Sequence, residues 1–241
     1  MKWVIVTGDS RGLGAEISKH ILEKTACGVI GISRSIKRIR EGVNLPPSER
    51  YIQLQYDLSK PEGIKNLYQG SIKPIGPIIG LVNNAAFAYD DLATNMNADL
   101  VRGMYDVNLF SPIMLTKYII RDFILHKTQG AIVNITSVCA HTGYKGLSVY
   151  ASSKGALEAY SRTIAREWGR YGIRSNCVAP GFMETEMSSN LNEEAKRRIY
   201  QRTSLKAETK LSSVASAVTF LLKPESMSIT GEIIHVDNGT I

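Results

Sequence analysis

Tyr150 and Lys154 stand four residues apart in the segment Ser148 to Lys154. In a helix that spacing puts them on one face. An ammonium beside a phenol favours the phenolate, so the pair predicts a tyrosine whose pKa is lowered by its lysine. A phenol ordinarily near about 10 then becomes usable as an acid or base closer to neutrality. Ser137 follows an apolar run, Ala131 to Thr136. Its hydroxyl both donates and accepts, which suits a carbonyl oxygen that changes charge. A tyrosine and lysine at this spacing also occur as ordinary surface pairs, so these residues acquire meaning only from what surrounds them.

A second constellation lies near the start. Thr7-Gly8-Asp9-Ser10-Arg11-Gly12-Leu13-Gly14 joins a β-branched run to a helical pattern. Glycines there allow a tight turn and close backbone approach to a pyrophosphate, and the helix start offers unpaired N–H groups. The next apolar run ends at Ser33-Arg34 with no acid. A carboxylate there would bond a ribose 2′-hydroxyl, whereas Arg34 can pair with a 2′-phosphate, assisted by Arg11. This charge pattern predicts NADP over NAD.

Elements must bring these pieces together. Apolar runs at Trp3–Thr7, Gly28–Ser33, Tyr51–Tyr56, Ile78–Val82, Ala131–Thr136, Arg174–Ala179 and Glu232–Val236 read as strands. Helical periodicity begins at Leu13–Lys24 and returns over about 60–73, 97–126, 148–170, 191–202 and 211–222. Strands alternating with helices predict an α/β fold, a doubly wound parallel sheet of Rossmann type. Such sheets bind ligands beyond the carboxyl ends of their strands, where both constellations fall. The 241 residues suit one domain spanning 1–241, with a substrate loop and helix at about 183–202.

Bulk properties narrow the partners. The first residues enter an apolar run too short for a secretory leader, and no run reaches the roughly 18 to 20 apolar residues of a membrane span. Cys27, Cys139 and Cys177 are widely spaced, and neither they nor the four histidines show metal-ligand spacing. No metal and a cytoplasmic location are expected. The net charge of +7 reads as a basic solvated surface. No nucleic-acid motif or membrane anchor accompanies it. The one local basic cluster is Arg34, Lys37, Arg38 and Arg40. Cys139, close to Ser137, reads as a small apolar wall of the pocket. Asn134-Ile135-Thr136 has the form of a glycosylation sequon but falls in an expected buried strand.

Taken in order, Thr7-Gly8, Gly12, Gly14, Asp57, Asn83-Asn84-Ala85, Asn108, Ser137, Tyr150, Lys154, Pro180-Gly181 and Thr185 resemble the short-chain dehydrogenase/reductase family along essentially the whole chain. The resemblance implies a catalytic set of Asn108, Ser137, Tyr150 and Lys154. Tyr150 would exchange the proton with the substrate oxygen, and Ser137 would orient that oxygen. Lys154 would lower the Tyr150 pKa and bond the nicotinamide ribose, and Asn108 would hold a water extending the relay. Cofactor contacts would come from Gly8, Ser10, Arg11, Gly12, Leu13, Gly14, Ser33, Arg34, Asp57, Leu58, Asn84 and Ala85. Tyr150, Lys154, Pro180, Gly181, Met183 and Thr185 would complete them.

Within the family, Pro180 to Met187 and Ile229 to Gly239 are most similar to 3-oxoacyl-(acyl-carrier-protein) reductases. That implies NADPH-dependent reduction of a 3-oxoacyl thioester, a place in fatty acid biosynthesis, carrier docking and a homotetramer or homodimer. Several segments depart from those reductases. Ala86 replaces a glycine, the lid reads Ala88-Tyr89-Asp90-Asp91, and Pro46-Pro47 interrupts an expected helix. Only Lys127 and Arg170 lie near the expected basic docking positions. A reductase or dehydrogenase of another small secondary alcohol or ketone, such as a sugar, polyol or secondary metabolite, is the alternative. A sugar-nucleotide epimerase would carry a longer C-terminal lobe, and an NADP-sensing regulator would usually lack a member of the catalytic set.

Overall fold

A computed structural model describes residues 1–36, 49–185 and 192–241. Lys37, Arg38 and Arg40 of the basic cluster, the Pro46-Pro47 break, and Glu186-Met187 lie outside those residues, as does the expected helix start at 191.

Seven parallel strands form one sheet. They are β1 (Trp3–Thr7), β2 (Gly28–Ser33), β3 (Tyr51–Gln55), β4 (Ile78–Asn83), β5 (Ala131–Ile135), β6 (Arg174–Pro180) and β7 (Ile233–Val236). Their spatial order is β3-β2-β1-β4-β5-β6-β7. Every residue of β1, β2 and β5 is buried, while the outer strands β3 and β7 are mostly half-exposed. That difference explains why the inner strands read as continuous apolar runs and β3 alternates.

The faces of β1 separate two cores. Trp3 and Ile5 point into one, with Ile30, Ile32 and Leu115, Ile119 and Phe123 of α4 (Ser111–Leu125). Val4 and Val6 point into the other, with Ile17 and Ile21 of α1 (Gly12–Lys24) and Val214 and Val218 of α7 (Leu211–Leu222). The chain leaves β1 towards β2 on one side and returns to β4 on the other. The sheet therefore switches direction between β1 and β4, where a crevice opens at the strand ends.

Two expected helices are interrupted. The stretch at 60–73 contains only α2 (Ile64–Leu67), flanked by 3-10 turns and a π turn over Tyr68–Ile72. Burial of Ile64, Leu67, Tyr68 and Ile72 holds it despite the weak helix formers Gly63 and Gly70. The stretch at 97–126 divides into α3 (Ala98–Tyr105) and α4, joined by a π turn over Asp106–Phe110. Pro112, which has no N–H, follows that turn. Two further helices, α5 (Ser148–Trp168) and α6 (Glu193–Gln201), match their expected spans closely. Among the described residues no helix is long and apolar enough to cross a membrane.

Candidate active site

The glycine turn is locked to the end of β4. Thr7 Oγ1 accepts the backbone N–H groups of Asn84 at 2.9 Å and Ala85 at 3.0 Å. Asn84 returns its side-chain amide to the Thr7 carbonyl at 2.8 Å. Gly8 has φ of +70°, and a Cβ there would lie 3.0 Å from Ala85 Cα. At Gly14 a Cβ would overlap the Gly8 carbonyl oxygen. These two glycines thus permit a left-handed turn and a helix start pressed against it. Asn84 and Ala85, expected as cofactor contacts, are also what holds the turn shut.

The start of α1 fits a bound pyrophosphate. Arg11 at the N-cap makes no side-chain capping bond, and the first turn carries no acid. The N–H groups there and the positive end of the helix dipole face the crevice without a competing carboxylate. Ser10 is half-buried and Arg11 exposed at the turn, while the Leu13 side chain packs into the core and leaves its backbone to the site. Thr185 reaches over the turn: its Cγ2 lies 3.9 Å from where a Gly12 Cβ would be. Met183 packs against the same core as Leu13.

Ser33 closes β2, buried, with its hydroxyl donated to the Ser35 carbonyl at 3.1 Å. Arg34 is exposed beside it. The backbone N–H of Ser59 holds the Asp57 carboxyl below its ordinary pKa, and Arg34 adds to the effect. Leu58 is a core residue whose carbonyl accepts the Ser111 hydroxyl at 2.6 Å. Pro180 ends β6, and Gly181 N donates to the Val236 carbonyl at 2.9 Å. A Cβ at Gly181 would sit 2.6 Å from Thr209 Oγ1, so the chain passes too closely for a side chain.

The sequence pattern gave no sign of one acid in the turn. Asp9 is fully buried and points beneath β2 and β3, where the Tyr51 hydroxyl donates to it and Gln53 Nε2 donates at 3.4 Å. Gly31 is bare because a Cβ would collide with this carboxylate. Burial pushes the Asp9 pKa up against the hydrogen bonds.

The reactive side chains converge at the end of β5 and on α5. Lys154 is 2% exposed and donates to the Ile135 carbonyl at 2.9 Å. Its ammonium lies 5.7 Å from the centroid of the Tyr150 ring. Tyr150 keeps some ring exposure, yet enclosure of its hydroxyl pushes its pKa up, with Cys139 acting the same way and Ser137 opposing. The expected acidification of Tyr150 by Lys154 is therefore absent here. The lysine is aimed at the Ile135 carbonyl, and desolvation dominates at the phenol. Burial also lowers the Lys154 pKa to about 8.

Asn108 lies buried in the π turn before α4. Its Oδ1 accepts from Phe87 N at 2.8 Å, and its Nδ2 donates to Phe87 O at 2.9 Å and Ser153 Oγ at 3.1 Å. The side chain thus ties the segment after β4 to α5. Its carbonyl differs: the residue four positions on is Pro112, which cannot supply the ordinary helical N–H. That carbonyl is the candidate for the relay.

Cys139 and the segment 88–91 lie near each other beside the end of β5. Burial raises the Cys139 pKa, so it stays a neutral thiol, as expected for a wall. Tyr89 Oη donates to Asp91 Oδ2 at 3.0 Å, and Asp91 N donates to the Gly146 carbonyl at 3.0 Å. Asn134 is fully buried and bonded to Asn83, so the sequon is inaccessible in the fold. Among the described residues no group of histidine, cysteine or acid side chains could hold a metal.

The model of the family described as enoyl-(acyl carrier protein) reductase matches residues 8–240. The chain belongs to the short-chain dehydrogenase/reductase family. It is 34% identical to the 3-oxoacyl-(acyl-carrier-protein) reductase FabG of Vibrio cholerae, over 99% of this chain and 96% of that one. Carbonyl reductase family member 4 of Danio rerio is also 34% identical, over 98% and 96%. A solved 4-hydroxyisoleucine dehydrogenase complexed with NADH superposes with a TM-score of 0.92 at 26% identity, covering 100% of this chain and 98% of that one. These relatives support an oxidoreductase with a nicotinamide cofactor.

Proposed function

We propose that the protein is an NADPH-dependent ketone reductase whose substrate is a 3-oxoacyl thioester. The observation that carries the reading is the convergence of Ser137, Tyr150 and Lys154 at one strand end, beside a glycine turn built for a dinucleotide. The resemblance to 3-oxoacyl-(acyl-carrier-protein) reductases supports the substrate class. Arg34 and Arg11, both exposed at the ribose end, support the 2′-phosphate. The same resemblance supports a cytoplasmic homotetramer or homodimer acting in fatty acid biosynthesis. Leu100, Phe110 and Leu125 on and between α3 and α4 are exposed and apolar, as subunit contacts require.

Bound at the turn, the cofactor supplies a hydride to the carbonyl carbon. Ser137 donates to the carbonyl oxygen and holds it near the Tyr150 hydroxyl. A phenol with a raised pKa remains protonated at neutral pH, the state a proton donor needs. Tyr150 gives that proton to the alkoxide oxygen. The Lys154 ammonium, on the same helical face, stabilises the phenolate once it forms and returns a proton to it. The Asn108 carbonyl holds the water that restores the lysine. Asn84 and Ala85 keep the turn closed throughout.

A second reading, a dehydrogenase of a small polar secondary alcohol, is favoured by the lid. Asp90 acts electrostatically on Cys139 at the pocket wall, an unusual charge to place beside an acyl chain. Following NADPH and NADH oxidation with acetoacetyl thioesters, simple ketones and keto-sugars separates the two. Thioester turnover with NADPH is expected, and Tyr150→Phe should lower it by at least about 100-fold. Silence on the thioester with turnover of another ketone would overturn the substrate class, a preference for NADH would overturn the cofactor, and full activity in the Phe variant would overturn the site.

A further inference from the structure

Glu158 lies one helical turn beyond Lys154 on α5, and both are buried, at 4% and 2% exposure. Among the described residues Lys154 makes one hydrogen bond, to the neutral Ile135 carbonyl. A buried ammonium held by a carbonyl alone loses far more hydration than that bond returns. Three groups favour its charged form: Cys177, Cys139 and Glu158. The two thiols contribute only if ionised. Burial pushes Cys177 up to about 12 and raises Cys139 as well, so both are neutral near neutrality. Glu158 is then the remaining anion among the three.

Among the described residues Glu158 forms its ion pair with His141, and Lys154 lies beyond ion-pair distance. The Glu158 Oε1 meets His141 Nε2 at 3.0 Å. His141 lies four residues past Ser137 at the end of the turn Val138–Ala140, which Ala140 N closes onto the Ser137 carbonyl at 3.0 Å. The outer side of His141 rests edge-on against His235 of β7, with centroids 4.8 Å apart. Arg162, one turn further along α5, acts on Cys177. Glu158 therefore stands between the lysine and the loop that carries Ser137.

We propose that Glu158 is a positioning residue: through His141 it holds the Ser137 loop against Tyr150, and its buried charge, one helical turn away, is the through-space partner of the Lys154 ammonium. This rests on the reading of Lys154 and Ser137 given above.

Glu158→Gln removes the charge and keeps the shape. With the wild type, we expect kcat/KM for ketone reduction, and NADPH binding followed by fluorescence, to fall as pH rises through the Lys154 titration. In Glu158→Gln that fall should begin at a lower pH, because an anion one turn away no longer favours the ammonium. His141→Gln should raise KM without moving the fall. An unmoved fall in a folded Glu158→Gln would overturn the proposal. A stability cycle covers a Gln variant that folds poorly. Lys154→Met with Glu158→Gln should recover the Tm that Glu158→Gln alone loses, because neither charge is left unpaired. Additive losses would overturn the pairing. Neither the cycle nor the binding profile requires turnover, so they stand apart from Tyr150→Phe, which tests the enzymatic reading itself.

Discussion

Replacing Thr7 with valine removes one hydroxyl from the lock between the glycine turn and β4 and changes the volume little. Two N–H groups, of Asn84 and Ala85, lose an acceptor at 2.9 and 3.0 Å. An unsatisfied buried donor costs about 1–3 kcal/mol. Both sites are only partly buried, so the low end applies to each, for a total of about 2 kcal/mol. The bond from the hydroxyl to the Val82 carbonyl is long, at 3.4 Å, and adds little. Against a total stability of about 5–15 kcal/mol this loss is easily measured. Urea unfolding should show a lower midpoint at an unchanged slope. Thr7→Ser, which keeps the acceptor, should fall closer to the wild type. NADPH affinity should weaken in the valine variant alone, because the released β4 end no longer presses on Gly8. A valine variant as stable as the wild type, with the Asn84 and Ala85 amides still protected from hydrogen exchange, would show that the lock lies elsewhere.

Other perturbations probe the remaining joints. Gly14→Ala places a methyl into the Gly8 carbonyl and 2.6 Å from Asn84 Nδ2. It should cost about 1–3 kcal/mol of stability, by calorimetry, and abolish cofactor binding. Lys154→Met should end turnover yet change stability in a pH-dependent way. The folded pKa of about 8 lies below the ordinary 10.5, so the unfolded chain binds more protons between those values. Wild-type stability relative to the Met variant should therefore rise from pH 8 to 10.5 and be lowest below pH 8. The full span corresponds to about 3 kcal/mol, and urea titrations at several pH values would detect its absence.

Much of the site was legible because it depends on local rules. Glycines before a helix, a tyrosine and lysine one turn apart, and apolar runs ending at polar residues mark strand ends in any parallel sheet. Arg34 was legible as a charge where an acid would otherwise stand. The illegible parts depend on neighbours distant in sequence. Asp9 looked like a turn residue, and only β3, some 42 residues on, makes it a buried carboxyl. Only the fold shows that the Asn108 amide is engaged by Phe87 and Ser153. The continuous helix expected over 97–126 gives way to a π turn where Asn108 bonds to Phe87 and Pro112, which has no N–H, follows.

Periodicity and chemistry along the chain thus determined the fold class, the crevice and the candidate groups at its strand ends, since these follow from residue type and short spacing. Tertiary structure decided their protonation. Desolvation and the direction of each hydrogen bond are properties of the packed interior. They raise Tyr150, lower Lys154 towards neutrality and set Glu158 behind it. Tyr150 and Lys154 remain the pair expected from four-residue spacing, but their electrostatic balance is the opposite of what that spacing alone implies.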